Sequence, residues 1–255
     1  AWETERREAL ERSAWKLLPT LSATAREQTL EVLPDSSILA KGKQADRDTY
    51  TVTTDVAPGT IAAIRLEALR HESLTQNSLS RADSGNFVLT ELEVTLELPA
   101  AGEGAAAETR RLKFTSARAT FEQGNLKAAA ALDGDPATGW AVWEGRVVDR
   151  EHAAVFVLDE PVTVPEGSRL QFVLRHDSQH ARHNLGRFRL SVTSADNPAA
   201  EVGDDALLLA LRMPPGKRTE EPQPSLRQAH PASDQASQKL LAERAKISEE
   251  RSRLE

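Results

Sequence analysis

Asn86–Leu98 reads N-F-V-L-T-E-L-E-V-T-L-E-L and alternates more clearly than any other segment of this 255-residue chain. Val88, Leu92, Val94, Leu96 and Leu98 fall on one face, with Thr90 among them. Glu91, Glu93, Thr95 and Glu97 fall on the other. A period of two with one apolar side is the pattern of a strand that buries one face and wets the other, as antiparallel sheets do. One such strand needs partners, and the flanking sequence supplies them.

Upstream, Asp48–Val56 is rich in Thr and Val, with Tyr50 and Val52 on one face and Pro58-Gly59 ending it. Ile61–Leu69 alternates Ile64 and Leu66 against Arg65 and Glu67, which reads as a further strand. Thr29–Val32 and Ser37–Ala40 flank Pro34-Asp35 as a short hairpin, and His71–Gly85 is a polar loop. Downstream, Arg111–Phe121 returns as a strand whose apolar phase slips between Phe114 and Ala117, so a β-bulge is expected near Thr115-Ser116. His152–Leu158 is apolar on both faces, the mark of a central strand, and Pro161 and Pro165-Glu166-Gly167 punctuate the chain beyond it. Leu170, Phe172 and Leu174 mark another strand, and Phe188, Leu190 and Val192 one more. Many short strands with turn signals and no βαβ alternation give an all-β fold, an antiparallel jelly-roll β-sandwich over residues 15–196.

The ends of the chain differ in character. Residues 1–14 favour helix by propensity. Residues 197–232 read as a Pro-rich linker containing a short helix, with five prolines in Met213–Pro231. Residues 233–255 read as a charged, solvent-facing helix. Pro99–Thr109 is a low-complexity hairpin tip. The expected architecture is therefore a sandwich with flanking N- and C-terminal helices.

Composition narrows the function classes. A net charge of −7 gives no attraction to phosphate backbones or anionic bilayers, so nucleic acid is not an expected partner. The absence of cysteine removes disulfides, thiolate metal sites and covalent haem attachment from these residues. No run is apolar enough for membrane insertion as a helix. The opening residues, A-W-E-T-E-R-R-E-A-L-E-R, have neither an initiator Met nor the basic-then-apolar form of a signal peptide, and the expectation is a piece of a longer protein. The motifs G-x-S-x-G, H-E-x-x-H and the Walker loop are all missing, so a non-catalytic role is expected.

Ala130–Gly145 reads A-A-L-D-G-D-P-A-T-G-W-A-V-W-E-G and holds two of the four tryptophans. Asp133-Gly134-Asp135-Pro136 is a tight turn, in which Asp accepts local N–H groups, Gly permits positive φ and Pro fixes φ. Asp133, Asp135 and Thr138 are candidate oxygen ligands for a structural Ca²⁺, with a self-satisfied Asx turn as the alternative. Trp140 and Trp143, three apart on an extended run, should point to opposite sides of the sheet. Trp140 is then expected in the core, and Trp143 at a ligand-binding surface. Arg187 and Arg189 alternate with Phe188 and Leu190 and so face outward. They read either as part of a cross-strand ion-pair ladder with Arg65, Glu67, Glu91 and Glu93, or as a grip on a carboxylated or sulfated sugar. His176, His180 and His183 form H-x₃-H-x₂-H, a zinc-like string that here falls on a loop without the helix or the Glu of the metalloprotease pattern.

Several strings occur in fixed order: Ile64–Leu69, Gly85–Glu91, Ala131–Gly134 with Gly139–Val142, and His183–Thr193. In that order they resemble the segment between two uncharacterised domains of large planctomycete-type proteins that begin with a cytochrome c domain. Asp133, Gly134, Thr138 and Trp140 also match the A-x-D-G-x-x-x-T-x-W string of galactose-binding, discoidin-like sandwiches. The resemblance implies an ancillary, non-catalytic module of an exported multidomain protein, periplasmic or extracellular, whose haem lies elsewhere in the parent. The galactose-binding-like class frequently binds glycans, so a glycan or polysaccharide is the expected partner, with Trp143, Arg187 and Arg189, read above from their outward positions, as the expected binding residues. The alternative is a purely structural module that docks the neighbouring domains and takes no small ligand.

Overall fold

The computed structural model describes residues 15–100, 108–195 and 198. The expected terminal helices, the linker apart from residue 198, and the tip at 101–107 lie outside the described residues. Among the described residues fourteen strands succeed one another, beginning with β1 (Lys16–Leu17), β2 (Thr20–Ala25), β3 (Thr29–Val32), β4 (Ile38–Lys41), β5 (Asp48–Asp55), β6 (Gly59–Ala68) and β7 (Val88–Leu89). The second half comprises β8 (Glu91–Glu97), β9 (Thr109–Arg111), β10 (Phe114–Ala119), β11 (Trp140–Ala141), β12 (His152–Val164), β13 (Arg169–His176) and β14 (Arg187–Thr193). Among the described residues no helix is long and apolar enough to cross a membrane.

Two antiparallel sheets face each other. One has seven strands in the order β10-β12-β6-β14-β4-β3, with β1 also on β14; the other has five, β2-β5-β13-β8-β9. The chain passes repeatedly from one sheet to the other, between β1 and β2, β2 and β3, β4 and β5, β5 and β6, β6 and β8 by way of β7, β9 and β10, β12 and β13, and β13 and β14, which makes the fold a β-sandwich of jelly-roll type. Alternation supplies the filling. Tyr50, Val52, Leu92, Val94, Leu170, Phe172 and Leu174 come from the five-stranded sheet, and Ile64, Leu66, Phe156, Phe188 and Leu190 from the other. Each buried side chain of this size contributes about 1.5–3 kcal/mol. Tyr50 and Phe188 stack across the two layers with ring centroids 5.9 Å apart. The Tyr50 hydroxyl donates to Leu185 O and accepts from Gln28 Nε2, so its burial leaves no unmet polar group.

Two expected strands are each divided. Asn86–Leu98 breaks at Thr90: Val88–Leu89 peels away to pair with Trp140–Ala141, while Glu91–Glu97 pairs with β13. Thr90 makes the break, since its hydroxyl donates to Arg175 O and accepts the N–H of Asp177. Arg111–Phe121 breaks at Leu112-Lys113, where the chain leaves one sheet for the other. Past that point the register shifts between Phe114 and Ser116, at the bulge that the apolar phase implied. β12 continues beyond Pro161 because its own register is irregular between Val157 and Val162, so the missing proline N–H falls outside the ladder.

Candidate functional site

The Ala130–Gly145 segment is anchored before it reaches solvent. Ala128–Leu132 forms a 3₁₀ turn, which the sequence did not signal. Asp133 Oδ1 accepts the N–H of Asp135, and Asp135 Oδ1 accepts the N–H of Ala137. The Thr138 hydroxyl lies 2.9 Å from both Asp133 carboxylate oxygens. The three candidate cation ligands are thus brought together, but as an Asx turn whose oxygens accept from their own loop. Among the described residues no cluster of three or more His, Cys, Asp or Glu is placed to hold a metal ion.

Gly139 comes next with φ +140°, and a Cβ there would sit 2.4 Å from Leu89 O. That close backbone approach lets Trp140 drop into the core, where it is 0% exposed. Its Nε1 donates to Phe121 O, and its ring meets Phe87 edge-on at 4.9 Å. Trp143 faces the opposite way and is 42% exposed.

Trp143 stands at the rim of a cleft of about 360 Å³ whose other walls include Asp83, Ser84, Gln123, His180, Arg182 and His183. Its position is fixed from below. Gln123 Oε1 accepts the Trp143 N–H at 3.2 Å and the Asn86 Nδ2–H at 3.0 Å, and Asn86 Oδ1 accepts the Val142 N–H at 2.9 Å. Other clefts among the described residues include one of about 240 Å³ between Glu91, Glu93, Arg111 and Arg175, and one of about 360 Å³ between Arg110, Lys113, Asp159 and Glu160. Neither is lined by an aromatic ring.

The histidine string is separated by the fold. His176 is the last residue of β13 and continues the inward phase of Leu170, Phe172 and Leu174, so it points into the core at 2% exposure. Its ring lies 4.6 Å from Tyr50, its Nδ1 faces Asp48 O at 3.2 Å, and burial lowers its pKa to about 4. His180 and His183 stay in the cleft, with ring centroids 5.5 Å apart.

Arg187 and Arg189 do not line the Trp143 cleft. Arg189 grips Glu67 with two parallel bonds of 2.9 and 3.0 Å, and Arg65 reaches the same carboxylate at 3.1 Å. Arg187 bonds Ser37 Oγ, Arg70 O and Asp35 Oδ2. The ion-pair ladder is therefore present on the seven-stranded sheet. Glu93 belongs to a separate ladder on the other sheet, with Arg175 and Arg111, because β8 and β14 are not neighbours.

Asn86, Gln123, Asp83 and Ser84 were not marked by the sequence, since each sits on a loop whose partner lies far along the chain. The inward phase of His176 was readable, as the even-numbered positions of its strand are all apolar.

No family model matches the sequence, and no curated protein matches it. Among solved structures, one described as the structural basis for the promiscuous specificity of carbohydrate-binding modules from the β-sandwich superfamily aligns with TM-score 0.26 and 9% identity, covering 71% of this chain. The alignment spans 60% of that structure's chain. A family 29 carbohydrate-binding module variant complexed with cellulohexaose aligns with TM-score 0.27 and 8% identity, over 71% of this chain and 89% of that one. Likeness at this level is remote, and the functional reading stands on the cleft itself.

Proposed function

We propose that this chain is a non-catalytic carbohydrate-binding module that takes a glycan or polysaccharide against Trp143. The observation that carries the reading is a half-exposed indole in a cleft that mixes apolar walls with Asp83, Ser84, Gln123, Arg182 and two histidines. The apolar face of a pyranose stacks on such a ring, while its hydroxyls need the mixed donors and acceptors that Gln123, Ser84, Asp83 and the two imidazoles supply. The bonds from Asn86 and Gln123 hold the backbone that carries Trp143 in place before a ligand arrives, which lowers the ordering cost of binding. We place the contacts here rather than at Arg187 and Arg189, whose guanidinium groups are engaged by Asp35, Ser37 and Glu67. In keeping with the family resemblance, the module would serve a larger exported protein.

The docking alternative would draw on exposed apolar side chains such as Leu17, Leu21 and Val32 of the first three strands. Affinity electrophoresis against a broad panel of soluble polysaccharides separates the two readings. Retardation by at least one glycan, abolished in Trp143→Ala, supports the sugar site. No retardation across the panel overturns it.

A further inference from the structure

The charged groups of the Trp143 cleft point to one class of saccharide. Arg182 closes the loop between the two histidines and is held at φ +66°, a backbone region that non-glycine residues seldom occupy and that clusters at binding sites. Its backbone N–H donates to Asp46 O at 2.9 Å. Its guanidinium reaches Asp83 through Nη2 at 3.4 Å, a long contact to a carboxylate that is itself 87% exposed. Exposed pairs of this kind are easily displaced. Arg182 therefore differs from Arg187 and Arg189, whose guanidinium nitrogens are tied to neighbouring side chains. Beside it stand the His180 and His183 rings.

We propose that the cleft binds an acidic saccharide, whose carboxylate or sulfate oxygens are held by Arg182 and the His180–His183 pair while a sugar ring stacks on Trp143. The inference rests on the carbohydrate reading of the same cleft. A guanidinium presents paired N–H donors that match the oxygens of a carboxylate or sulfate. The imidazoles add charge only when protonated. His183 Nδ1 lies 2.9 Å from Ala181 O and its Nε2 lies 3.3 Å from Ser84 Oγ. In the neutral ring Nδ1–H donates to the carbonyl and Nε2 accepts from the hydroxyl. Protonation turns Nε2 into a donor to Ser84 Oγ, which releases the Ser84 hydroxyl hydrogen toward the cleft.

The charged and titratable groups around His183 are His180 and Arg182 on its own loop and Asp83 on the 82–85 segment; Gln123 and Trp143, from the other walls, are uncharged. Burial first, then His180 and Arg182, hold the His183 imidazole below its ordinary value. A bound oxyanion opposes both positive neighbours and favours the imidazolium. Affinity for an acidic glycan then rises as pH falls, by up to about tenfold per unit for each proton taken up.

The test uses matched probes on the whole chain: polygalacturonate with its carboxyl-reduced form, and a sulfated galactan with its desulfated form, at pH 7.5 and 5.5. At least one acidic probe is expected to bind about tenfold more tightly than its neutral counterpart at pH 5.5, with a smaller gap at pH 7.5. Which pair shows the gap distinguishes carboxylate from sulfate. Arg182→Gln should narrow it at both pH values, and the double variant His180→Gln/His183→Gln should remove its pH dependence, with both variants shown by their melting transitions to be folded under the assay conditions. Equal binding of acidic and neutral forms, lost in Trp143→Ala, overturns the inference and leaves the carbohydrate reading standing. No binding of any probe overturns both.

Discussion

Asn86 Nδ2 donates to Gln123 Oε1 at 3.0 Å, and the oxygen that receives it also holds the backbone N–H of Trp143. Through that shared oxygen a buried residue beside β7 fixes the backbone from which an exposed aromatic ring projects. The Asn86 side chain also caps the Val142 N–H, so removing it strands a buried donor. Asn86→Leu is expected to cost about 1–3 kcal/mol of stability and to weaken glycan binding at the same time. Urea unfolding and affinity electrophoresis of one preparation check both effects.

The two tryptophans of the Ala130–Gly145 segment should separate cleanly. Trp140→Ala removes a fully buried side chain and its bond to Phe121 O, and is expected to destabilise the fold by about 3–5 kcal/mol. Trp143→Ala touches no core and should change stability by less than about 1 kcal/mol. Comparable losses from both, in parallel urea titrations, would place Trp143 in the core as well.

Gly139→Ala combines a positive φ with a Cβ 2.4 Å from the Leu89 carbonyl oxygen and 2.8 Å from Thr90 Cα, backbone atoms that cannot rotate out of the way. A loss of more than about 3 kcal/mol is expected, far above an ordinary surface substitution. Chemical unfolding of the variant measures it.

Acid should weaken the fold through His176. Its folded pKa of about 4 lies below the unfolded value of about 6.5, so the unfolded chain takes up the proton first. The contribution is complete above pH 6.5 and is lost as pH falls through 4, at most about 1.4 kcal/mol per pH unit and about 3 kcal/mol in all. His152 and His183 are also lowered, each chiefly by burial, and act in the same direction. Unfolding free energies measured from pH 7 to 4 should fall along this course, and His176→Gln should flatten it.

The Asp133 turn accepts from its own loop, and a cation would have to displace Thr138 from Asp133. The melting midpoint is therefore expected to be the same with EDTA and with excess Ca²⁺. A rise with Ca²⁺ would show a native-state site, because a ligand bound only to the folded chain must raise stability.

The fold was legible because alternation is a local signal. Tyr50, Leu92, Phe172 and Leu190 each announce a buried face to their immediate neighbours, and even the bulge beside Ser116 shows as a slip of phase. The divisions at Thr90 and Leu112 were not legible, since each depends on which sheet the chain next meets. Trp140 and Trp143 could be assigned opposite sides from spacing alone. The cleft could not, because Asn86, Gln123, Trp143 and His183 come together only through long-range packing. Arg187 and Arg189 were visible as outward-facing, but their partners Asp35 and Glu67 lie more than a hundred residues away in the chain.

The central claim is that Trp143 is the platform of a sugar site. Isothermal titration of the most strongly retarded glycan into wild type and Trp143→Ala, at matched melting midpoints, tests it most directly. The variant is predicted to lose at least about 2 kcal/mol of binding free energy, roughly thirtyfold in affinity. Equal affinity in the two proteins would contradict the claim.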